Sequence, residues 1–475
     1  MPRSFALSFA LLSIATTHTA AEVSWPQFRG PGGTGIAVNS GTLPTEIGPE
    51  KNVLWKKALP SGHSSPVIHG NRIYLTGAEN GHLFTLALER STGTVLWRRQ
   101  AKHHGLEAIH SIGSHAQPSP TTDGERVVVF FGSCGLLAYD SDGNELWRVP
   151  MGPFKNHFGA ASSPLLVGNR VILNQDHDVE SALMAFDKMT GEPVWRTERS
   201  EFPRGFSTPT IWNVNGKKQI VVAGTLKVIG YDLEDGREIW SVRGLARIVN
   251  VSPVVGADGN LYVACWSPGA DPGERIEVKT FDVQLEAHDK NKNETLEKEE
   301  IPPGALKQRF LQIDRDKSGE ITRAEYDGMA VIFHAARNVV LAIRPGGKGD
   351  VTDTHVLWTG SRMVPYVPTP IYHDGHLYMV KDGGIVSSLN AKTGKAIKQA
   401  RITSRKNYYS SPILGDGKIY LLSQSGALSV ISAEPEWEEL ASTEFGEETY
   451  ATPAIVDSRI YLRTSGHLYC FGTAE

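Results

Sequence analysis

The chain is predicted to fold as an all-β, eight-bladed β-propeller of four-stranded blades, with a small α-helical insert in the fifth blade. Three observations carry that expectation. A Ser- or Thr-rich step into proline recurs at Pro66, Pro120, Pro164, Pro209, Pro253, Pro370, Pro412 and Pro453. Apolar runs after each step are punctuated by turn dipeptides such as Gly70-Asn71, Gly168-Asn169, Asp374-Gly375 and Asp416-Gly417, which supply the positive φ of tight hairpins. The interval from Pro253 to Pro370 alone is stretched, and it contains two acidic twelve-residue loops.

Spacings in the forties between like cassettes mark stacked or radial repeats rather than separate domains. Within a cassette the pattern reads strand, turn, strand, strand, and then a Gly turn into a strand that carries Trp97, Trp147, Trp195 or Trp240. Four short antiparallel strands, repeated eight times, describe propeller blades. The last cassette has three strands, and the run Asn52–Leu59 with Trp55 matches a closing strand. Residues 52–59 are therefore expected to complete the last blade and leave no sheet edge open. The segment WPQFRGP at 25–31 is expected to pack along the ring.

The cassettes resemble the pyrroloquinoline-quinone-type repeat, whose signature is visible at Ala185, Asp187, Thr190, Gly191 and Trp195 and more loosely at Tyr231, Asp232, Gly236 and Trp240. The resemblance covers about residues 52–266 and 336–475. It implies that Trp97, Trp147, Trp195, Trp240 and Trp358 dock between neighbouring blades. The repeat is shared by quinoprotein dehydrogenases and by non-enzymatic scaffolds such as the lipoprotein of the outer-membrane barrel assembly machine, so it does not settle function. The dehydrogenases place vicinal cysteines over the quinone, whereas Cys134, Cys265 and Cys470 are far apart here. The acidic loops also lie outside the blades, and the quinone cofactor is not expected.

Those loops, at 289–300 and 314–325, have calcium-ligand spacing. In the second, Asp314, Asp316, Ser318, Glu320, Thr322 and Glu325 occupy positions 1, 3, 5, 7, 9 and 12, with Gly319 at the sharp turn. In the first, Asp289, Asn291, Asn293, Thr295, Glu297 and Glu300 take plausible ligand positions. There Glu294 stands where Gly is usual, so weaker binding is expected, with left-handed backbone at roughly 1 kcal/mol. Apolar pairs before each loop, Phe281 with Leu285 and Phe310 with Leu306 and Ile313, give helical spacing. The segment 278–335 resembles an EF-hand pair.

The 475 residues carry a formal charge of −4 and no basic run, which excludes a nucleic-acid footprint. Residues 1–21 read as a secretory signal: Arg3, an apolar run from Phe5 to Ile14, and Thr19-Ala20-Ala21 for cleavage. No stretch is long enough to span a membrane. The protein is expected to be exported, periplasmic or extracellular, with a 22–51 extension, blades over 52–266 and 336–475, and the insert over 267–335. Three scattered cysteines, an odd number, predict buried free thiols rather than a disulfide framework.

Loops leading into each Pro should share one face, and the column three residues before each Pro reads His63, Gln117, Ala161, Phe206, Asn250, Val367, Tyr409 and Tyr450. With His115, Lys155, His157, Arg204, Arg247, Arg362 and Arg405 nearby, it predicts a basic, aromatic axial funnel. Such a funnel suits an anionic glycan or a protein partner. Acid–base work by His157 with Tyr409 is the catalytic alternative. His103, His104, His110 and His115 are read as a polar loop rather than a metal site. The leading expectation is an exported, calcium-binding scaffold for binding or assembly. The alternative is an enzyme at the funnel, either a quinone-linked oxidoreductase or a glycan-active propeller.

Overall fold

The computed structural model describes residues 24–473 apart from 179 and 272. The signal segment expected over 1–21 lies outside the described residues. Eight antiparallel four-stranded blades follow one another in chain order, the first extended by Ser24–Trp25 and the fourth by the parallel edge strand Gly349–Asp350. The first blade comprises Val67–His69, Arg72–Glu79, His82–Glu89 and Val95–Ala101. The fifth comprises Val254–Val255, Leu261–Cys265, Val339–Ile343 and Val356–Gly360, so the insert leaves after the second strand. The eighth blade joins Ala454–Val456, Arg459–Arg463 and His467–Phe471 to the early strand Val53–Ala58. Trp55 sits opposite Cys470 in that closing pair.

Burial follows from a sheet packed on both faces. The middle strands Leu261–Cys265 and Val339–Ile343 are buried throughout, while outer strands such as Val53–Ala58 and Glu439–Glu444 alternate with period two. The apolar clusters lie in the seams. One joins Tyr74, Ala87 and Trp97 of the first blade to Val127, Val129 and Tyr139 of the second. Each blade is therefore stable only against its neighbours.

The closing-strand tryptophans lock these seams. The indole N–H of Trp97 donates to Ser141 O (2.9 Å), that of Trp147 to Lys188 O (2.9 Å), and that of Trp195 to Leu233 O (3.2 Å). Trp358 reaches Ala391 O (2.8 Å), and Trp55 reaches Arg90 O (3.1 Å) across the ring closure. Each ring lies on the glycine of the receiving turn. A Cβ on Gly93 would stand 2.6 Å from Trp55. Trp240 clusters with Leu261 and Val263 of the fifth blade, but its hydrogen bond departs from the pattern. It faces Gly230, whose missing side chain lets the indole fold over its own blade and donate to Gln219 Oε1 (2.8 Å). Trp212, whose ring meets that of Trp240, makes the inter-blade bond instead, donating to Gly259 O (3.0 Å).

The 25–31 segment does more than pack along the ring. Ser24–Trp25 pairs with the inner strand of the first blade, and Pro26 O accepts from Thr122 N–H of the second (2.8 Å). Arg29, fully buried, donates to Thr369 O and Pro370 O of the sixth blade (both 2.7 Å). Gly35 O then accepts from Leu414 N–H of the seventh (2.8 Å). The extension thus crosses the propeller axis. Burial holds the Arg29 guanidinium down at about 9.

Candidate functional site: the axial cavity and the helical insert

The residue before each repeat proline is Ser65, Ser119, Ser163, Thr208, Ser252, Thr369, Ser411 or Thr452, and all eight are buried. Proline biases its predecessor to extended backbone. The backbone N–H of each of these residues donates to the hydroxyl of its counterpart in the next blade, at 2.9–3.2 Å. Eight such bonds close a ring around the axis.

Two residues further out, the column beginning at His63 forms the wall of a cavity of about 410 Å³. All eight column residues line it, and Phe28 from the crossing segment lines it too. His63 stacks on Tyr450 (3.9 Å between centroids), which meets Tyr409 edge-on (5.7 Å), which in turn meets Tyr366 (6.3 Å). Asn250 Nδ2 donates to Tyr366 O (3.2 Å), and Gln117 Nε2 to Phe158 O (2.8 Å). Burial, aided by the charge of Arg463, pushes the His63 imidazole down to about 4. Burial pushes the Tyr409 phenol up to about 12.

The wall is aromatic but not basic, which corrects the expected funnel. None of the described lining residues is Asp, Glu, Lys or Arg. Arg204 is held away by a bidentate pair with Asp178 (2.6 and 2.7 Å). Arg362, Arg405, Lys155 and His157 are exposed. A charge survives at a mouth only where water reaches it, so the long side chains sit outside the stacked rings. His157 lies against His110 and Phe158 (5.3 and 4.7 Å), whereas Tyr409 contacts Tyr366 and Tyr450, so the two are not paired. In the histidine-rich loop, His115 Nε2 bonds Glu107 O and His103 Nε2 bonds Gly81 O. Cys134, Cys265 and Cys470 are free and buried.

Sequence reasoning missed Phe28, Tyr366, Phe158 and Ile248 on the wall. It also passed over the hydroxyl ring, whose signal was present: every repeat proline is preceded by Ser or Thr.

The insert contains α1 (Phe281–His288), α2 (Ala305–Gln308), α3 (Phe310–Ile313) and α4 (Arg323–Ala335). The helix expected before the second loop is broken at Arg309, between α2 and α3. The two acidic loops pair as short strands, Leu296 opposite Ile321 and Glu297 opposite Glu320, over a core that includes Phe281, Phe310, Tyr326 and Phe333. The loops share their hydrogen bonding. Glu325 Oε1 accepts from Arg315 N–H and Glu300 Oε1 from Lys290 N–H, both at 2.8 Å. Glu294 adopts φ 65°, the left-handed geometry its position demands.

Carboxylate oxygens of Asp314, Asp316 and Glu325 lie within 4.8 Å of one another, and Asp314 is buried. Ser318 Oγ donates to Asp314 Oδ1 (3.5 Å), and a capping box opens α4, with Glu325 N–H donating to Thr322 Oγ1 (3.4 Å) and Thr322 N–H to Glu325 Oε2 (2.9 Å). In the first loop the amides of Asn291 and Asn293 both donate to Glu297 Oε1, and Thr295 Oγ1 donates to Glu320 Oε2 of the other loop. Asp289 accepts from three loop backbone N–H groups.

A sequence family described as outer membrane protein assembly factor BamB matches residues 47–156, 85–267 and 305–475. The chain is 24% identical over 226 residues to that assembly factor from Burkholderia pseudomallei, covering 45% of this chain and 53% of the relative. It is 33% identical over 153 residues to the one from Alkalilimnicola ehrlichii, covering 29% and 33%. The chain thus spans about half the length, or less, of these curated relatives. Its fold is similar to BamB from Moraxella catarrhalis (TM-score 0.56, 12% identity, 89% of this chain and 99% of that one). It is equally similar to the computationally designed Ika8 protein (TM-score 0.55, 11% identity, 89% and 100%). By the extent of the family match along its repeats, the chain belongs to the BamB-type family of β-propeller proteins.

Proposed function

We propose that the protein is an exported scaffold that holds a protein partner at its axial face, in outer-membrane protein assembly, with calcium bound in the insert. The observation that carries the scaffold reading is the character of the cavity wall. It offers stacked rings and neutral amides, a surface that binds extended, partly aromatic chain. Its buried titratable groups are poorly poised for proton transfer near neutrality: His63 is neutral and a weak base, and Tyr409 holds its proton. The names of the relatives support the assembly context. A photo-crosslinking residue at Tyr409 should capture a discrete assembly protein, and one at Leu440 on an outer strand should not. Depletion should also lower outer-membrane β-barrel proteins in the membrane fraction. Unchanged barrel levels together with no adduct specific to Tyr409 would sink the reading.

Calcium binding is supported by the hard-oxygen cluster of Asp314, Asp316 and Glu325, flanked by Ser318, Thr322 and the Glu320 carbonyl. The first loop has two amides where the second has Asp316 and Ser318, and Glu294 at left-handed φ where the second has Gly319, which makes it the weaker site.

A further inference from the structure

The insert and the fourth blade enclose a second, smaller cleft. It contains the side chains of Arg204, Arg247 and Arg309, with Gln312 beside them and Phe333 as one wall. Ile248 lines both this cleft and the axial cavity, so the two adjoin. Arg204 is neutralised by Asp178. Among the described residues, neither Arg247 nor Arg309 has a carboxylate partner. Instead both guanidiniums face the ring of Phe333, at 4.9 and 5.5 Å from its centroid. Two half-buried like charges on one ring oppose each other. Burial first, and then the charges of Arg309 and Arg204, hold Arg247 down at about 10. Such a pair is disfavoured until an anion joins it, because burial removes the water that would screen it. Arg309 Nη1 donates to Ala305 O (3.3 Å), and a guanidinium stacked on an aromatic face still has its remaining N–H groups in plane to grip a carboxylate.

We propose that this cleft is a carboxylate-binding site for an acidic peptide segment, with Arg247 and Arg309 clamping one Asp or Glu side chain while the flanking chain runs into the axial cavity. The proposal rests on the scaffold reading for the nature of the ligand. The cleft is small, about 20 Å³, which favours a flat carboxylate over a bulkier head group. The insert then has a second task, since Arg309 stands between α2 and α3, close to the acidic loop that begins at Asp314.

The test is fluorescence anisotropy on the mature full-length protein with labelled hexaglutamate, and with hexaglutamine as the neutral probe. Saturable binding of hexaglutamate alone is expected, weakened roughly tenfold by Arg247→Gln and by Arg309→Gln, the loss of one charged hydrogen-bonded contact. Arg237→Gln, at an exposed turn of the same blade, should leave it unchanged. Equal weakening by Arg237→Gln, binding of both peptides alike, or no binding of either would overturn the proposal. If Arg247→Gln melts early, Arg309→Gln in the insert decides alone. The assay needs no cellular partner, so its failure is distinct from failure of the crosslinking and depletion test.

Discussion

The backbone N–H of Thr452 donates to the hydroxyl of Ser65 at 3.0 Å, joining residues 387 positions apart in the chain. That bond closes the ring of eight hydroxyls around the axis. The same seam is held by Arg463, fully buried, which donates to Ser64 O (3.0 Å), Ser64 Oγ (2.6 Å), Thr76 O (2.8 Å) and Pro60 O (3.0 Å). The first and last blades are therefore joined by polar contacts near the axis as well as by the strand Val53–Ala58 at the rim.

Ser65→Ala removes the acceptor and leaves the buried Thr452 N–H without a partner. An orphaned buried donor costs about 1–3 kcal/mol. Denaturant unfolding should show that loss, and Ser65→Thr should recover much of it. A Ser65→Ala protein as stable as the parent would remove the ring from the account of closure.

Gly93→Ala places a methyl 2.6 Å from the Trp55 ring at φ 71°. Gly216→Ala meets nothing within 4 Å at φ 79°. The second change should carry only the left-handed penalty of about 1 kcal/mol, and the first should exceed it by displacing the tryptophan. Equal melting temperatures for the two variants would show that the seam tolerates the displacement.

His63 and His177 are both held down at about 4, chiefly by burial. In the unfolded chain each titrates near 6.5, so between these values the unfolded state binds more protons. Their contribution is therefore complete above about 6.5 and is lost as pH falls toward 4, by on the order of 3 kcal/mol for each histidine. His177 stacks on Phe154 (4.1 Å), and neither ring nitrogen has a hydrogen-bond partner among the described residues. His177→Phe should accordingly lose less stability than the parent between pH 7 and 4.5. Parallel pH profiles would show that His177 charges without penalty.

Calorimetric titration of calcium into chelator-stripped protein should find a site with a dissociation constant of about 10⁻⁴–10⁻³ M, typical of extracellular modules. Asp314→Ala with Glu325→Ala should abolish it. Asp289→Ala with Glu300→Ala should change the heat less, because the amides of Asn291 and Asn293 replace charged and hydroxyl ligands there. Heats that persist in the Asp314/Glu325 variant would place calcium elsewhere.

Much of the architecture was legible because it is written in local preferences. Ser/Thr-Pro steps, Asn-Gly and Asp-Gly turns and period-two outer strands each act over a few residues, and their recurrence counted the blades. The wall column was legible for the same reason, since one offset from Pro66 repeats at Pro120 and onward to Pro453. Its chemistry was less so: Arg204 was read as lining the funnel, but Asp178 holds it aside. Trp240 carries a looser copy of the Trp195 signature, and its N–H turns to Gln219 of its own blade while Trp212 makes the inter-blade bond.

By itself, then, the sequence determined the repeat, the number of blades, the point of insertion and the spacing of oxygen-bearing side chains in the acidic loops. Each follows from steric and turn preferences that neighbouring residues settle among themselves. Only the tertiary structure decided that Thr452 meets Ser65, that Arg29 crosses the axis to Thr369, and that Arg247 of a blade and Arg309 of the insert face one phenyl ring. Those contacts depend on how the curvature of a closed ring brings distant segments together, and no local pattern encodes that distance.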